Sequence, residues 1–205
     1  MSQQSTIELF NANEHFQSLW DEIISPQYFY PEEVYYEITG ERCEWFCHHT
    51  WEAKPPEDKL YYLESNFGVL EKPTNTIKQY KIIIREEGKA IAFACWKWDI
   101  TLVVDLRFIV VKKSHHRKGY GKMMMDYFLR WCEENYMHKA QLNYMAHHEK
   151  VGSFYTSMGF NKPPPKRDGY EFVGFGECQY QKMELYFKQP DILLSLSELF
   201  CMQSF

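Results

Sequence analysis

Val110–Phe128 reads VVKKSHHRKGYGKMMMDYF, and the order of residue types in it decides the fold. It opens on the end of a β-branched run, Ile100–Val111 (ITLVVDLRFIVV), which predicts a long strand. It passes through basic residues and two glycines, Gly119 and Gly121, and enters a segment where Met124, Phe128, Trp131 and Cys132 recur on one helical face. The first turn of a helix leaves backbone N–H groups without intrahelical partners, and the helix dipole adds positive charge there. Glycines let that backbone approach a ligand closely, so the loop suits a phosphate or pyrophosphate. Arg117, Lys118 and Lys122 add charge. The competing reading is a plain strand-to-helix connection with solvated lysines. No G-x-x-x-x-G-K-[ST] run and no complete G-x-G-x-x-G fingerprint is present, which argues against nucleotide hydrolysis and hydride transfer.

Upstream of this stretch, YKIIIREEGKAIAFACWKWD predicts a hairpin turning at Glu87-Gly88-Lys89. Thr6–Phe10 predicts a short strand, and Asn11 or Asn13 caps a helix through NEHFQSLWDEII. PEEVYYEI predicts a second helix opening near Pro31. Downstream, AQLNYMA predicts a strand, EKVGSFYTSMGF a short helix ending at Gly159, and residues 170–188 a final hairpin. Such mixed order predicts an α/β or α+β sheet flanked by helices. The tail PDILLSLSELF is amphipathic and packs on its own domain or on a twin subunit, which makes a homodimer one of two arrangements.

The chain has 205 residues, 45% hydrophobic and 25% charged, with 23 basic and 28 acidic side chains. That suits one folded domain and gives no bulk positive charge for nucleic acid or an anionic membrane. The longest apolar run, Ala90–Trp96, has seven residues, against ~18 for a membrane span. The start MSQQSTIELF lacks the pattern of a secretory signal. Six scattered cysteines read as buried thiols in a reducing compartment, cytoplasm or nucleus. Cys43, Cys47, His48 and His49 lack a second ligand pair at zinc-site spacing, so no metal is expected.

With these residues in view, VVKKSHHRKGYG resembles the pyrophosphate-binding motif of the GNAT acetyltransferase superfamily, [Q/R]-x-x-G-x-[G/A] after a strand. Gly119 and Gly121 match, and His116 stands where Gln or Arg is usual. The second signature of that family, Y-x-x-x-G-F, appears in FYTSMGF, Phe154–Phe160. The resemblance covers roughly residues 80–188. It implies a mostly antiparallel central sheet with a splay between strands 4 and 5. It implies one domain over residues 1–190, divided into an acceptor-side part (1–78) and a cofactor-binding core (79–190), with a C-terminal helix over 191–205. The implied co-substrate is acetyl-CoA. Its pyrophosphate lies on the backbone of His116, Arg117, Lys118, Gly119, Tyr120, Gly121 and Lys122, and its pantetheine along Ile109, Val110 and Val111. His148 stands where the family often has Asn as a further cofactor contact.

Acetyl transfer to an amine needs a neutral nitrogen, and a lysine-like amine has an ordinary pKa of ~10.4, so a base is required. Asp105 is the one acid inside Ile100–Val111. Strand alternation predicts that it faces the same side as Arg107, Ile109 and Val111. It also lies fourteen residues before Gly119, where the superfamily's histone lysine acetyltransferases carry a carboxylate. By the same resemblance Tyr155, four residues before Gly159, is the acid for the departing thiolate. The other reading of each is an ion-paired strand Asp and a core aromatic. Tyr28, Phe29 and Tyr30 are candidate walls of the acceptor site, or core. The implied reaction is direct attack in a ternary complex, on a protein lysine or N-terminus or on a small amine such as a polyamine or amino sugar. The rival is a domain of this fold that binds acyl-CoA without turnover.

Overall fold

The computed structural model describes residues 6–24, 58–59, 78–145, 149–163 and 180–188. In chain order the elements are β1 (Thr6–Leu9), α1 (Ala12–Leu19) running into a π-helical turn (Trp20–Ile24), β2 (Lys78–Glu86), β3 (Lys89–Trp98) and β4 (Val103–Val111). There follow α2 (Tyr120–Glu134), β5 (Lys139–Met145), α3 (Glu149–Ser157) and β6 (Tyr180–Tyr186). The expected helix at Pro31, the strand over 170–179, both cysteines of Cys43-x-x-x-Cys47 and the tail helix lie outside the described residues.

The six strands lie in sequence order, β1-β2-β3-β4-β5-β6. Every neighbouring pair is antiparallel except β4–β5, which is parallel. A parallel pair needs a long crossover, and α2 supplies it. The sheet is thus mixed and mostly antiparallel, as expected. The β2–β3 turn sits at Glu87 and Gly88, both with positive φ (51° and 78°), as a type I′ hairpin turn requires. Asn11 caps α1, its side chain accepting from the Asn13 amide at 3.0 Å.

β3 is buried without interruption from Ala90 to Trp96 because both of its faces are covered. On one face Ile82, Ile84, Trp96, Val104 and Leu106 meet Met124, Phe128, Trp131 and Cys132 of α2 and Tyr155 of α3. Trp96 packs edge-on against Phe128 at 5.1 Å and Trp131 at 5.4 Å. On the other face Ile83, Phe93, Cys95, Phe108 and Val110 meet Phe16, Leu19, Trp20, Ile23 and Ile24 of α1 and its π turn. Each such side chain buried contributes about 1.5–3 kcal/mol.

Two irregularities in β4 shape the cleft beside it. The β3–β4 ladder pairs Cys95 with Phe108 but Trp96 with Leu106, which leaves Arg107 as a bulge. The bulge reverses the alternation. Val104 and Leu106 join the α2 face, whereas Phe108 and Val110 join the α1 face. Asp105 therefore points to the α1 side, and Ile109 and Val111 pack on the α2 side. This corrects the expectation that simple parity keeps Asp105 on one face with Ile109 and Val111. The second irregularity is that β4 pairs with β5 only from Val103–Lys139 to Leu106–Leu142. Beyond that rung both strands continue, to Val111 and Met145, and diverge. That divergence is the expected splay.

Candidate active site

The splay gives β4 an edge with no strand partner among the described residues. Lys112 donates its N–H to Ile91 O at 2.7 Å, so Lys112, and by alternation Val110, direct their backbone groups to β3. Ile109 and Val111 then direct theirs toward the side from which β5 has departed. An extended ligand can satisfy that edge as a strand does. Ile109 and Val111 lie on that edge, whereas the backbone of Val110 faces β3 and its side chain is buried on the α1 side.

Where β4 ends, His116 folds back and its Nε2 donates to Val111 O at 2.8 Å. A carbonyl only accepts, so Nε2 carries the proton. The imidazole thus braces the loop against the strand end, which explains how His can stand where Gln or Arg is usual. Glu86, at the end of β2, anchors the same loop by accepting from the Tyr120 hydroxyl and lying 3.3 Å from His115 Nε2. Arg117 holds φ at +61° and Gly119 at +92°. The non-glycine Arg117 in this region marks a loop whose shape is held by its anchors.

α2 starts at Tyr120 with Gly119 as its N-cap, and no side chain among the described residues caps it. A methyl group placed on Gly121 would lie 3.9 Å from Val111 Cγ2 and 3.9 Å from Phe154 Cζ. The helix start, the free end of β4 and α3 therefore converge on one small space. The expected charges are only partly aimed at it. Arg117 and Lys118 are exposed. Lys122 turns back to Asp126, with contacts of 2.9 and 2.6 Å, in an exposed pair that costs little to break. Lys112 is bonded to Glu22 of the π turn, which holds that carboxyl below its usual range.

Tyr155 lies on α3, 7% exposed, among Phe154, Tyr144 and Phe160. Burial pushes its phenol up to about 12. Asp105 lies across the sheet, its side chain 20% exposed, with Arg107 Nη1 donating to Oδ2 at 3.1 Å. The two candidate catalytic groups therefore flank the apex of the splay from opposite faces. His148, Tyr28, Phe29 and Tyr30 lie outside the described residues.

Sequence reasoning missed Tyr144 and Gly152. Tyr144 extends β5 past the last paired rung, and its ring lies 6.1 Å from Tyr155. A methyl on Gly152 would come within 2.8 Å of Tyr144 Cζ, so α3 can approach β5 this closely only with glycine there. The signal was a lone glycine inside a helical run, EKVGSFY.

Residues 78–162 match the family model of the acetyltransferase (GNAT) domain. Comparison with curated protein sequences gives no significant match. Among solved structures, the chain is similar to the ribosomal-protein-S18-alanine N-acetyltransferase of Escherichia coli (TM-score 0.57, 15% identity, 91% of this chain and 96% of that one). It is also similar to an acetyltransferase from Streptococcus agalactiae (0.56, 14%, 90% and 99%). A third is the PaiA N-acetyltransferase of Thermoplasma acidophilum in complex with coenzyme A (0.56, 15%, 90% and 100%). At these identities the likeness is one of fold. A domain of this family is an acyltransferase whose co-substrate is acetyl-CoA. The loop fits a CoA diphosphate, since its glycines leave the space between Val111 and Phe154 open and no described side chain caps the helix start.

Proposed function

We infer that the protein transfers an acetyl group from acetyl-CoA to a primary amine, on a protein lysine or a small molecule, by direct attack within a ternary complex. One observation carries this reading: β4 loses β5 at Leu106, and the freed edge leads to an uncapped, glycine-bearing helix start. His116 to Lys122 hold the diphosphate through backbone amides, and Ile109 and Val111 hold the pantetheine. The thioester is thereby brought to the apex of the splay, between Asp105 and Tyr155.

The nitrogen forms a bond to the acetyl carbon, the carbon–sulfur bond breaks, and the nitrogen loses a proton. Asp105 takes that proton through a bridging water, because Arg107 already occupies one carboxylate oxygen and Asp is short. Tyr155 stays neutral through the physiological range, as its phenol near 12 requires, and donates a hydrogen bond to the departing sulfur. An ordinary thiol titrates near ~8.5, so the phenol shares its proton and solvent supplies the final one.

The test is free-thiol release from acetyl-CoA with a panel of amines, on the parent, Asp105→Asn and Tyr155→Phe. Asp105→Asn should lose about 10²–10⁴-fold in kcat with CoA affinity unchanged. Full activity in both variants overturns the assignments. Stabilisation by CoA with no thiol release across the panel favours a domain that binds acyl-CoA without turnover.

A further inference from the structure

β6 delivers the chain into an apolar groove on the side of the domain away from the splay loop. The strand finishes at Tyr186, and Phe187 donates its N–H to His138 O at 3.1 Å, which pins the outgoing chain beside the end of α2. A cavity of ≈ 580 Å³ opens there between the C-terminal turns of α2, the end of α3 and the end of β6. Leu129, Met137, Met158, Leu185 and Phe187 line it, with Lys188 on the rim. Leu129, Met158, Leu185 and Phe187 pack on the central core with one side only and are half-buried among the described residues. Tyr136 and Tyr186 beside them are 64% and 62% exposed. A contiguous apolar face of this kind marks a place where something packs.

The sequence supplies a segment that fits. Pro190 stands two residues past Lys188 and cannot extend the ladder. In Asp191–Phe200, DILLSLSELF, the residues Ile192, Leu193, Leu196, Leu199 and Phe200 recur at i, i+1, i+4, i+7 and i+8, the stripe of a helix with one apolar face. Asp191 is a favoured N-cap residue at its start, and Ser195 and Glu198 fall off the stripe. A helix over residues 192–200 is ~14 Å long. The three Cα steps from Lys188 to Asp191 cover at most ~11 Å, so the stripe begins within reach of the groove wall. A tether this short holds the segment at an effective concentration of about millimolar, which favours it over the same segment of another chain.

We propose that Asp191–Phe200 folds as an amphipathic helix into this groove of its own chain, with Ile192, Leu193 and Leu196 meeting Met137, Met158 and Leu185. The seated helix covers the open sides of Leu129 and Phe187 and ties the end of α2 to the end of α3. Met158 lies three residues past Tyr155, and its N–H is bonded to Phe154 O at 3.2 Å and Tyr155 O at 3.1 Å, so the helix bears on the turn that closes α3. The assignment is independent of the transferase reading.

The test is methyl NMR on the full chain labelled at Met, Ile and Leu methyl groups. NOE cross-peaks from Met137 and Met158 to Ile192, Leu193 or Leu196 are expected. A sample in which Met-labelled chains and Ile/Leu-labelled chains are unfolded and refolded together should lose them, since they arise within one chain. Leu196→Glu should abolish them, move the Met137 and Met158 methyl signals and lower Tm by about 2–4 °C. The Ile83 methyl, buried on the α1 face, should keep its shift and so report an intact sheet. Glu198→Gln, off the stripe, should do none of this. Met137 and Met158 without a cross-peak to residues 192–200, or unmoved by Leu196→Glu, overturn the assignment. Cross-peaks that persist in the mixed sample put a twin's segment in the groove and overturn it equally. Should Leu196→Glu unfold the sheet, the cross-peaks of the parent and of the mixed sample decide.

Discussion

Gly121→Ala separates the folding role of the loop from its ligand role, because the structure gives the two effects opposite signs. The added methyl would sit 3.9 Å from Val111 Cγ2 and from Phe154 Cζ, ordinary van der Waals distances that ask neither neighbour to move. Gly121 is inside the first turn of α2, and its φ is not in the positive region that favours glycine. Alanine in a helix is favoured over glycine by about 0.5–1 kcal/mol, so the variant should fold at least as well as the parent. For a chain of this size that is a rise in Tm of about 1–4 °C. On the proposed placement, the diphosphate reaches the helix amides through the space between β4 and α3 that this methyl occupies. Loss of one hydrogen bond to a charged group costs about 1.5–3 kcal/mol, or about 10–150-fold in CoA affinity. Differential scanning calorimetry gives the first quantity and isothermal titration with CoA the second. An unchanged or improved CoA affinity beside the raised Tm would refute the placement of the diphosphate. Gly119→Ala is the contrast: no described atom lies within 4 Å of its Cβ, yet φ of +92° strains alanine, so stability falls by about 1 kcal/mol.

Three further outcomes rest on the same geometry. Burial pushes the Tyr155 phenol up to about 12 against about 10 unfolded, so its contribution is complete below pH 10 and is lost as pH rises through 12; urea melts of the parent should weaken over that window by a few kcal/mol more than those of Tyr155→Phe. Glu184 is raised by burial but lowered more by Lys182, Lys139 and Tyr186, reaching about 2; its contribution is present above about pH 4.5 and lost as pH falls toward 2, and acid unfolding of Glu184→Gln should lack that component. Gly152→Ala should destabilise by about 1–3 kcal/mol through collision with Tyr144, and Tyr144→Ala in the same chain should relieve most of it in a double-mutant cycle.

The features legible in the sequence are those set by local periodicity. The apolar face of α2, the uninterrupted β3 and the glycines after β4 each depend on neighbours within a few residues, and the structure keeps them. What escaped depends on pairing between distant residues. Nothing in VVDLRFIVV marks Arg107 as a bulge; only the β3 ladder, by setting Cys95 opposite Phe108, makes it one and turns Asp105 away from Ile109 and Val111. Likewise Lys112 reads as part of a basic loop until the π turn brings Glu22 to it. His116 reads as a departure from the family motif until Val111 O is seen to accept from it. The alignment of Gln79, Lys97, Asp105, Gln141 and Glu184 in one row across the sheet is invisible for the same reason: they are scattered through five strands, and only the registers bring them together.

The most direct check is an amide NMR titration of the isotopically labelled chain with CoA, and separately with ATP. CoA should shift the amides of Ile109 and Val111 together with those of Gly119, Gly121 and Lys122, whereas ATP, lacking pantetheine, should leave Ile109 and Val111 in place. Shifts confined to some other surface, or identical patterns for the two ligands, would contradict the idea that the parted strands receive a thioester carrier.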